Sequence, residues 1–312
     1  MDSLYKELQQ FGDVSLRKFL AKFTTFKIGG PADRYVEVTD TKKFTDLLNF
    51  LSGRGVDYFL LGGGSNVLLP DNGLRGVVIR VKTNKMTVDG NMIMAEAGVS
   101  FGAVVTKAVQ QSLTGLEWAT GLPGTVGGAV RGNAGAVGGD IAHSVSKIKI
   151  WQDSEIVELT PDDCAFGYRD SMFKRSTTVV LAAWFTLSPG NPRESLAVMQ
   201  EILKKRAGHY PSYPSAGSFF KNIPLKDWPH PTSELPAAFV EAGRVPAGWI
   251  TEQAGLKGLA VGGAMVSREH GNFLINHKDA TQADVLALVE EIKAKVYNTS
   301  GVELEEEVQI VK

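Results

Sequence analysis

The periods at which apolar and polar residues repeat along the chain predict a mixture of strands and helices. Residues 34–38 alternate apolar and polar side chains, as a half-buried strand does. The leucines within residues 47–51 recur at helical spacing, and residues 58–61 form a short apolar run that leads directly into Gly62. Because the loop at the C-terminal end of a parallel strand opens into a crevice, this β-α-β order is typical of a nucleotide site.

The start and the middle of the chain also predict both helices and strands. Before the first strand, residues 3–20 have the composition of a polar, weakly amphipathic helix and a linker. Further strands are predicted at 77–81, 85–88, 92–95, 148–151, 156–159 and 179–185, and helices at 101–113, 194–207 and 249–254. The sequence Ser188-Pro189-Gly190-Asn191-Pro192 is the strongest linker signal in the chain, so we expect a new unit to begin there.

The last part of the chain predicts a capped helix followed by a strand. Thr281 precedes an amphipathic helix with its apolar face at Val285, Leu288, Val289, Ile292 and Val296, and this helix ends near 298–301. Residues 302–311 then alternate like a half-buried strand.

Glycine is concentrated in residues 115–139, where nine of twenty-five positions are glycine. Each glycine costs about 0.5–1 kcal/mol relative to alanine inside a helix or strand, so this stretch is expected to provide backbone shape. An earlier run, Gly62-Gly63-Gly64-Ser65-Asn66, has the same character. One such cluster is explained by a tight turn, but two of them predict loops whose N–H groups approach a long, phosphate-bearing cofactor.

The phosphates of that cofactor must be held without the common nucleotide motifs. No GxGxxG follows a predicted strand, and the chain contains no GK dipeptide. A Rossmann site and a P-loop are therefore disfavoured.

Composition narrows the class of protein further. The 312 residues are 43% hydrophobic and 21% charged, with a formal net charge of −1, which describes a globular protein without an overall attraction for nucleic acid or anionic membrane. The single Cys164 excludes an intrachain disulfide, and the five histidines have no metal-ligand spacing. With neither a signal-peptide pattern nor 18 consecutive apolar residues, a cytoplasmic enzyme or binding protein is expected.

Three segments contain residues suited to chemistry, each with a simpler explanation beside it. Arg169 lies between Tyr168 and Asp170 and could hold a carboxylate or phosphate, although a surface arginine or a pair with Asp170 is the simpler interpretation from these residues alone. Ser218 has no neighbouring histidine, which disfavours an acyl-transfer nucleophile. Its hydroxyl could still pass a proton to a carbanion, but a capping serine in a loop is the simpler interpretation.

Lys221 and Asn222 follow within the same segment and would suit a diphosphate and polar sugar groups. Near the end of the chain, Glu303, Glu305 and Glu307 share one face of the predicted strand, as a solvated acidic surface would. Glu306 falls on the apolar face, so alternation alone does not identify a functional glutamate.

The ordered motifs resemble one family along nearly the whole chain. They are TFKIGGPA at 25–32, LGGGSNVL at 61–68, GLPGTVGGAV, NAGA, GYRDS, AGSFFKN, AGLKG, NFLIN and the closing LEEEV. Together they are similar to the UDP-N-acetylenolpyruvoylglucosamine reductase family, flavoenzymes of early peptidoglycan synthesis. The short span between Arg169 and Ser218 resembles the shorter subtype, which lacks a loop insertion that closes over the substrate.

The resemblance implies an α+β protein in three parts. A two-subdomain FAD-binding fold of the vanillyl-alcohol-oxidase type would comprise residues 1–82, joined by the tail 302–312, and residues 83–190. A C-terminal α+β substrate-binding domain would comprise residues 191–301. FAD would be bound non-covalently, because neither glycine run contains a histidine that could tether it, and NADPH would be the co-substrate.

The resemblance also assigns the site residues. The catalytic set would be Arg169 and Glu307, which stabilise the developing negative charge, and Ser218 as proton donor. Cofactor contacts would come from Gly62, Gly63, Gly64, Ser65, Asn66, Gly121, Gly124, Thr125, Gly127, Gly128 and Asn133. Tyr168, Lys221 and Asn222 would contact a UDP-sugar substrate. A monomer without bound metal, nucleic acid or membrane is expected.

Two positions depart from the family pattern, and two other functions compete with the one it implies. Ile223 stands where a proline is common, and Gln309 where many relatives have a basic residue. A flavin oxidase acting on an alcohol or sugar is the alternative enzyme. A UDP-sugar-binding module that has kept the fold is the non-enzymatic alternative, and it would have no reason to keep Arg169, Ser218 and Glu307 together.

Overall fold

The structure is a computed structural model that describes residues 3–312. Its α-helices are α1 (Ser3–Leu8), α2 (Thr41–Gly53), α3 (Phe101–Gln110), α4 (Val126–Gly132), α5 (Ile141–Ser144), α6 (Pro192–Arg206), α7 (Ala237–Glu241), α8 (Ala247–Gln253) and α9 (Gln282–Ser300).

The strands are β1 (Asp13–Phe19), β2 (Pro31–Val38), β3 (Tyr58–Leu61), β4 (Val67–Leu68), β5 (Leu74–Val81), β6 (Met86–Asp89), β7 (Met92–Glu96), β8 (Leu113–Thr114), β9 (Gly135–Ala136), β10 (Gly139–Asp140), β11 (Val145–Gln152), β12 (Glu155–Leu159), β13 (Val179–Thr186), β14 (Ser188–Pro189), β15 (Ser215–Ser218), β16 (Ile223–Pro224), β17 (Arg244–Val245), β18 (Ala260–Val261), β19 (Ala264–Val266), β20 (Phe273–Asn276) and β21 (Gln309–Ile310). Strands and helices therefore both contribute, as the α+β prediction requires.

The first of two compact units contains a four-stranded sheet, a five-stranded sheet and two short two-stranded sheets. It is built from the chain up to Lys18, from Ala32–Gly63 and from Leu74–Lys205. The four-stranded sheet has the order β1-β2-β5-β3, in which β5 runs parallel to both β2 and β3. The five-stranded sheet is antiparallel with the order β12-β11-β13-β7-β6. The apolar side of α2 contributes Leu47, Leu48 and Leu51 to the core of the first sheet.

The second unit is formed from three separated pieces of chain: Phe19–Pro31, Gly64–Gly73 and Arg206–Lys312. Its sheet has the order β15-β20-β19-β18, and α9 packs on β18 and β19. The apolar side of α9 is buried in this core, as its spacing predicts. Thr281 and Asp284 form a reciprocal cap at the start of α9, and Gly301 ends the helix in the left-handed conformation.

The predicted elements agree with the structure where the apolar pattern is strong, and differ at both ends of the chain. The strand predicted at 58–61 has those bounds, and β20 coincides with an apolar run at 273–276. The prediction of helix and linker for 3–20 was wrong in its second half, since β1 occupies part of it and exposes most of its side chains. The strand predicted at 302–311 is restricted to β21, and the rest of the tail is extended chain with isolated pairing.

The proposed linker at 188–192 is more structured than its composition indicates. Ser188 and Pro189 form β14, which pairs with β8, and α6 begins at Pro192. The first compact unit continues through α6 to Lys205. The division into parts at 1–82, 83–190 and 191–301 stays a prediction. Across residues 3–312, none of the helices combines the length and the apolar character needed to cross a membrane.

Candidate functional site

The two glycine runs meet within the first unit. A Cβ on Gly63 would lie 2.5 Å from the Cα of Gly124, and one on Gly62 would lie 2.7 Å from the Oγ1 of Thr125. A real Cβ cannot approach backbone atoms so closely, so the contact depends on glycine at position 63. The loops that the sequence singled out separately are therefore adjoining walls of one feature, and backbone atoms line the surface where they touch.

The same run continues into the second unit with a sharp backbone turn. Gly64 has φ 66°, and a Cβ there would lie 2.1 Å from the carbonyl oxygen of Phe23. The side chain of Asn66 donates a hydrogen bond to the carbonyl oxygen of Glu307 at 3.2 Å, and the N–H of Gln309 donates to the carbonyl oxygen of Asn66 at 3.1 Å. Asn66 thus connects this glycine run to the tail that carries the candidate glutamate.

Other predicted cofactor residues have structural contacts of their own. Gly121 and Gly124 adopt φ 76° and 121°, a region that favours glycine. The N–H of Gly127 donates to the carbonyl oxygen of Ala97 at 2.9 Å, and the N–H of Gly128 donates to Thr125 Oγ1 at 3.4 Å. Any flavin contact at Gly127 would therefore use its Cα or its carbonyl group. The assignment of these residues to FAD stays a prediction, as it does for Ser65.

Asn133 joins the central glycine stretch to the loop of the candidate arginine. Its side chain is 3% exposed, donates to the carbonyl oxygen of Gly167 at 2.8 Å and accepts from the N–H of Ala142 at 3.0 Å. Because Asn133 ends α4 with φ 41°, it also turns the chain at this point. Asn133, which is predicted to contact the cofactor, therefore also positions the segment that follows Gly167.

Arg169 occupies an unusual backbone position in a tight turn. The N–H of Asp170 donates to the carbonyl oxygen of Gly167 at 3.1 Å, and the N–H of Gly167 donates to that of Asp170 at 3.0 Å. At φ 54°, Arg169 takes a left-handed conformation in which a non-glycine residue carries about 1–3 kcal/mol of strain. Such strain is concentrated at functional sites, which supports a role beyond that of a surface residue.

The side-chain contacts of this turn argue against the simple surface pair. The carboxylate of Asp170 is paired with Arg175, whose hydrogen bond lowers the pKa of that carboxyl group. Arg169 donates to the carbonyl oxygen of Gly135 at 2.5 Å, and its guanidinium lies 5.3 Å from the ring centre of Tyr168. Arg169 is therefore directed at the central glycine stretch within the first unit.

Ser218 ends strand β15 and pairs in register with Phe273 of β20. It is half-buried. Among the described residues, none forms a side-chain hydrogen bond to its hydroxyl group or receives one from it. The interpretation of Ser218 as a capping serine therefore lacks support, and its hydroxyl is available to a ligand.

The tail brings Glu307 alongside Ser218 in the second unit. The N–H of Glu307 donates to the carbonyl oxygen of Phe219 at 2.8 Å, so Glu307 is paired with the residue next to Ser218. Glu306 forms an ion pair with Lys293 of α9 at 2.7 Å. The ion pair with Lys293 explains how Glu306 can lie on the apolar face of the tail. Glu307 is the glutamate whose N–H is bonded to Phe219, the residue after Ser218.

Lys221 and Asn222 continue from the same segment. The Nζ of Lys221 is 2.5 Å from Oε1 of Glu305, and its N–H donates to the carbonyl oxygen of Glu305 at 2.8 Å. Asn222 Oδ1 accepts from the N–H of Ala247 at 3.2 Å. Ile223, which departs from the family pattern, is buried and pairs with Val245, so its side chain contributes to the core.

The candidate catalytic residues thus fall into two groups. Ser218 and Glu307 are brought together by backbone hydrogen bonds of the second unit. Arg169 belongs to the first unit, and its place opposite Ser218 stays a prediction. Sequence reasoning missed Asn272, whose side chain binds the backbone beside Ser218. Only its position directly before the apolar run 273–276 could have drawn attention to it.

Two family models match separate parts of the chain. Residues 32–159 match the model of an FAD binding domain. Residues 209–311 match the model for the C-terminal domain of UDP-N-acetylenolpyruvoylglucosamine reductase.

Two curated relatives carry the name UDP-N-acetylenolpyruvoylglucosamine reductase. The protein of Caldanaerobacter subterraneus is 37% identical, covering 98% of this chain and 96% of its own. That of Carboxydothermus hydrogenoformans is 38% identical, covering 94% and 92%. The crystal structure of UDP-N-acetylenolpyruvylglucosamine reductase from Thermus caldophilus superposes with a TM-score of 0.77 and 31% identity, covering 96% of this chain and 98% of that one.

The α+β fold, the paired glycine loops and the FAD-domain match define a flavin-dependent oxidoreductase. The Caldanaerobacter relative is matched over nearly its whole length as well as nearly the whole of this chain. The chain belongs to the UDP-N-acetylenolpyruvoylglucosamine reductase family. The predictions of family, fold class and FAD as cofactor are confirmed.

Proposed function

We propose that this protein reduces UDP-N-acetylglucosamine enolpyruvate to UDP-N-acetylmuramate with electrons from NADPH, a step in peptidoglycan precursor synthesis. The observation that supports the proposal is the hydrogen bond from the N–H of Glu307 to the carbonyl oxygen of Phe219, the residue after Ser218. The family resemblance assigns both Glu307 and Ser218 to catalysis. When bound, FAD supplies the redox chemistry, accepting hydride from NADPH and returning it to the enolpyruvyl double bond.

The residues of this chain fit such a cofactor. At Gly63 and Gly124 the two runs touch through backbone atoms, so neither of these residues has a side chain that would keep a flat, extended ligand away. Gly62, Gly63 and Gly124 form this wall within the first unit.

Arg169 and Glu307 act on the charge that develops in the substrate. Addition of hydride to the methylene carbon leaves negative charge on the adjacent carbon and its carboxylate. A guanidinium offers two parallel donors to a carboxylate, and fixed donors in a site without water stabilise such charge strongly. The strained turn and the Gly135 contact hold Arg169 in place before the substrate arrives.

Ser218 delivers the proton that completes the lactyl ether. Its hydroxyl has no competing partner among residues 3–312, so it can be aligned with the substrate carbon. An alcohol is a weak acid, and its contribution depends on alignment and on a relay that returns its proton. Glu307, paired with the next residue, is positioned to serve in that relay.

Lys221 and Asn222 hold the UDP-sugar. Lys221 is 22% exposed and is paired with Glu305, whose side chain is 70% exposed. An exposed ion pair contributes about 0–1 kcal/mol, so the Glu305 carboxylate can turn to solvent when a diphosphate binds Lys221. Tyr168, beside Arg169, contributes a further substrate contact.

The proposal extends to the location, oligomeric state, partners and domain organisation of the protein. The protein acts as a cytoplasmic monomer on a soluble sugar nucleotide, without nucleic acid or membrane as a partner. Its chain is organised as residues 1–82 with the tail 302–312, residues 83–190, and a substrate-binding domain at 191–301.

The direct test uses the visible spectrum of the purified protein. NADPH is expected to bleach the flavin bands under anaerobic conditions, and UDP-N-acetylglucosamine enolpyruvate is expected to restore them. Bleaching by an alcohol or a sugar in place of NADPH, followed by recovery with oxygen, would instead identify an oxidase. A yellow protein that NADPH does not bleach would contradict the proposal, as would one without flavin.

Replacing Arg169 with lysine is expected to slow reoxidation of the reduced flavin by the enolpyruvyl substrate about 10²-fold, because lysine keeps the charge but loses the planar pair of donors. Reduction of the flavin by NADPH should stay close to wild type. Stopped-flow absorbance measures both steps separately. Arg175→Lys in the same loop is the matched control, since Arg175 is paired with Asp170. Equal rates for the two variants would remove Arg169 from the mechanism.

A further inference from the structure

The segment 218–222 carries three proposed site residues, Ser218, Lys221 and Asn222, around a buried pair of phenylalanines. Phe219 and Phe220 are 0% and 1% exposed, so their side chains anchor the segment in the core of the second unit. The tail holds one side of this segment through Glu305 and Glu307. The other side requires partners as well, because buried backbone groups are nearly always hydrogen-bonded.

Asn272 supplies those partners. The N–H of Phe220 donates to Asn272 Oδ1 at 2.9 Å, and Asn272 Nδ2 donates to the carbonyl oxygen of Phe220 at 2.8 Å. The N–H of Phe219 also donates to the backbone carbonyl oxygen of Asn272 at 2.8 Å. The asparagine side chain therefore pairs with Phe220 as a residue of a neighbouring strand would, just before β20 begins.

The position of Asn272 is fixed in turn. Its side chain is 2% exposed, and its N–H donates to Nδ1 of His270 at 3.0 Å. Burial lowers the pKa of His270, which favours the neutral ring that can accept this hydrogen bond. Loss of the amide would leave both backbone groups of Phe220 without their partner in a site too buried for water to replace it readily.

We infer that Asn272 is a positioning residue of the active site, which sets the backbone between Ser218 and Lys221 so that the serine hydroxyl meets the substrate carbon. The inference rests on the proposed function, since it assigns Asn272 a part in the proton delivery by Ser218. Misplacement of a reacting group by about 1 Å can cost about 10²-fold in rate, so a residue that never touches the substrate can still limit the reaction.

The test compares Asn272→Ala with Asn276→Ala. Asn276, in β20, is a matched control because its side chain also makes two hydrogen bonds to backbone, to Phe26 and Ala280, but none to the segment 218–222. Asn272→Ala is expected to slow flavin reoxidation by the enolpyruvyl substrate by roughly 10- to 100-fold. Flavin reduction by NADPH should be unchanged, and UDP affinity little changed, because the N–H of Lys221 is also held by the backbone carbonyl oxygen of Glu305.

Amide hydrogen exchange gives a readout that does not depend on turnover. The peptide containing residues 218–222 should exchange faster in Asn272→Ala than in wild type or Asn276→Ala. Asn272→Asp, which is nearly the same size, keeps the acceptor for the Phe220 N–H and loses the donor to its carbonyl. Asn272→Asp should show the same slower reoxidation and faster exchange. It replaces Asn272→Ala in the test if the alanine variant does not fold.

Two failures can be distinguished. If wild-type protein is not reoxidised by the enolpyruvyl substrate, the proposed function is wrong whatever the variants do. If wild type is reoxidised and the Asn272 variants match Asn276→Ala in both rate and exchange, the inference about Asn272 is overturned.

Discussion

Ser218→Ala is expected to slow reoxidation of the reduced flavin by the enolpyruvyl substrate by about 10²–10⁴-fold, the range that a positioned general acid contributes. The structure provides the reason, because the serine hydroxyl has no structural partner within residues 3–312, while Glu307 is paired with the adjacent Phe219. Flavin reduction by NADPH needs no proton from this residue and should keep its rate. Single-turnover stopped-flow absorbance separates the two steps.

Ser215→Ala is the matched control for this substitution. Ser215 begins the same strand, and its hydroxyl only accepts a 3.4 Å contact from the N–H of Gly217. Its variant should behave like wild type in both steps. If Ser218→Ala retained full reoxidation by the enolpyruvyl substrate, another group would have to donate the proton. A loss of both steps together would instead indicate damage to the flavin site.

The sequence predicted elements well where burial imposes a regular pattern. Strand β20 is buried on both faces, and its apolar run gave its bounds. Strand β1 has mostly exposed side chains at the edge of its sheet, so hardly any apolar alternation distinguishes it from a linker. The tail was predicted as a long strand because its residues do alternate in burial, but most of its backbone lacks a neighbouring strand.

Local sequence predicted the candidate site only in part. Glycine density marked both runs, yet their contact at Gly63 and Gly124 joins segments about sixty residues apart and has no local signal. Alternation did not separate Glu306 from Glu307, and their different contacts, with Lys293 and Phe219, are made to distant segments. The sequence motifs therefore identified the candidate site residues, and the tertiary contacts in the structure explain why those residues lie where they do.

Gly63→Ala is expected to yield protein that retains little or no FAD. The added methyl group would lie 2.5 Å from the Cα of Gly124 and 3.1 Å from its carbonyl carbon, so one of the two glycine loops would have to move. Forcing an extra carbon into a packed contact costs about 1–3 kcal/mol, and the displaced loops would no longer present the same backbone surface to the cofactor. The ratio of flavin to protein absorbance after purification measures the loss.

Gly132→Ala separates this effect from a general intolerance of substitution in the glycine-rich stretch. Gly132 ends α4 in the same stretch, and a Cβ there would have no neighbouring atom within 4 Å. This variant should therefore keep its flavin and gain slightly in stability, since alanine favours helix. Urea unfolding of both variants after removal of FAD would measure the packing cost alone. If Gly63→Ala bound FAD as wild type does, the two loops would have to be less tightly packed than the structure indicates. The cofactor site would then not require glycine at position 63.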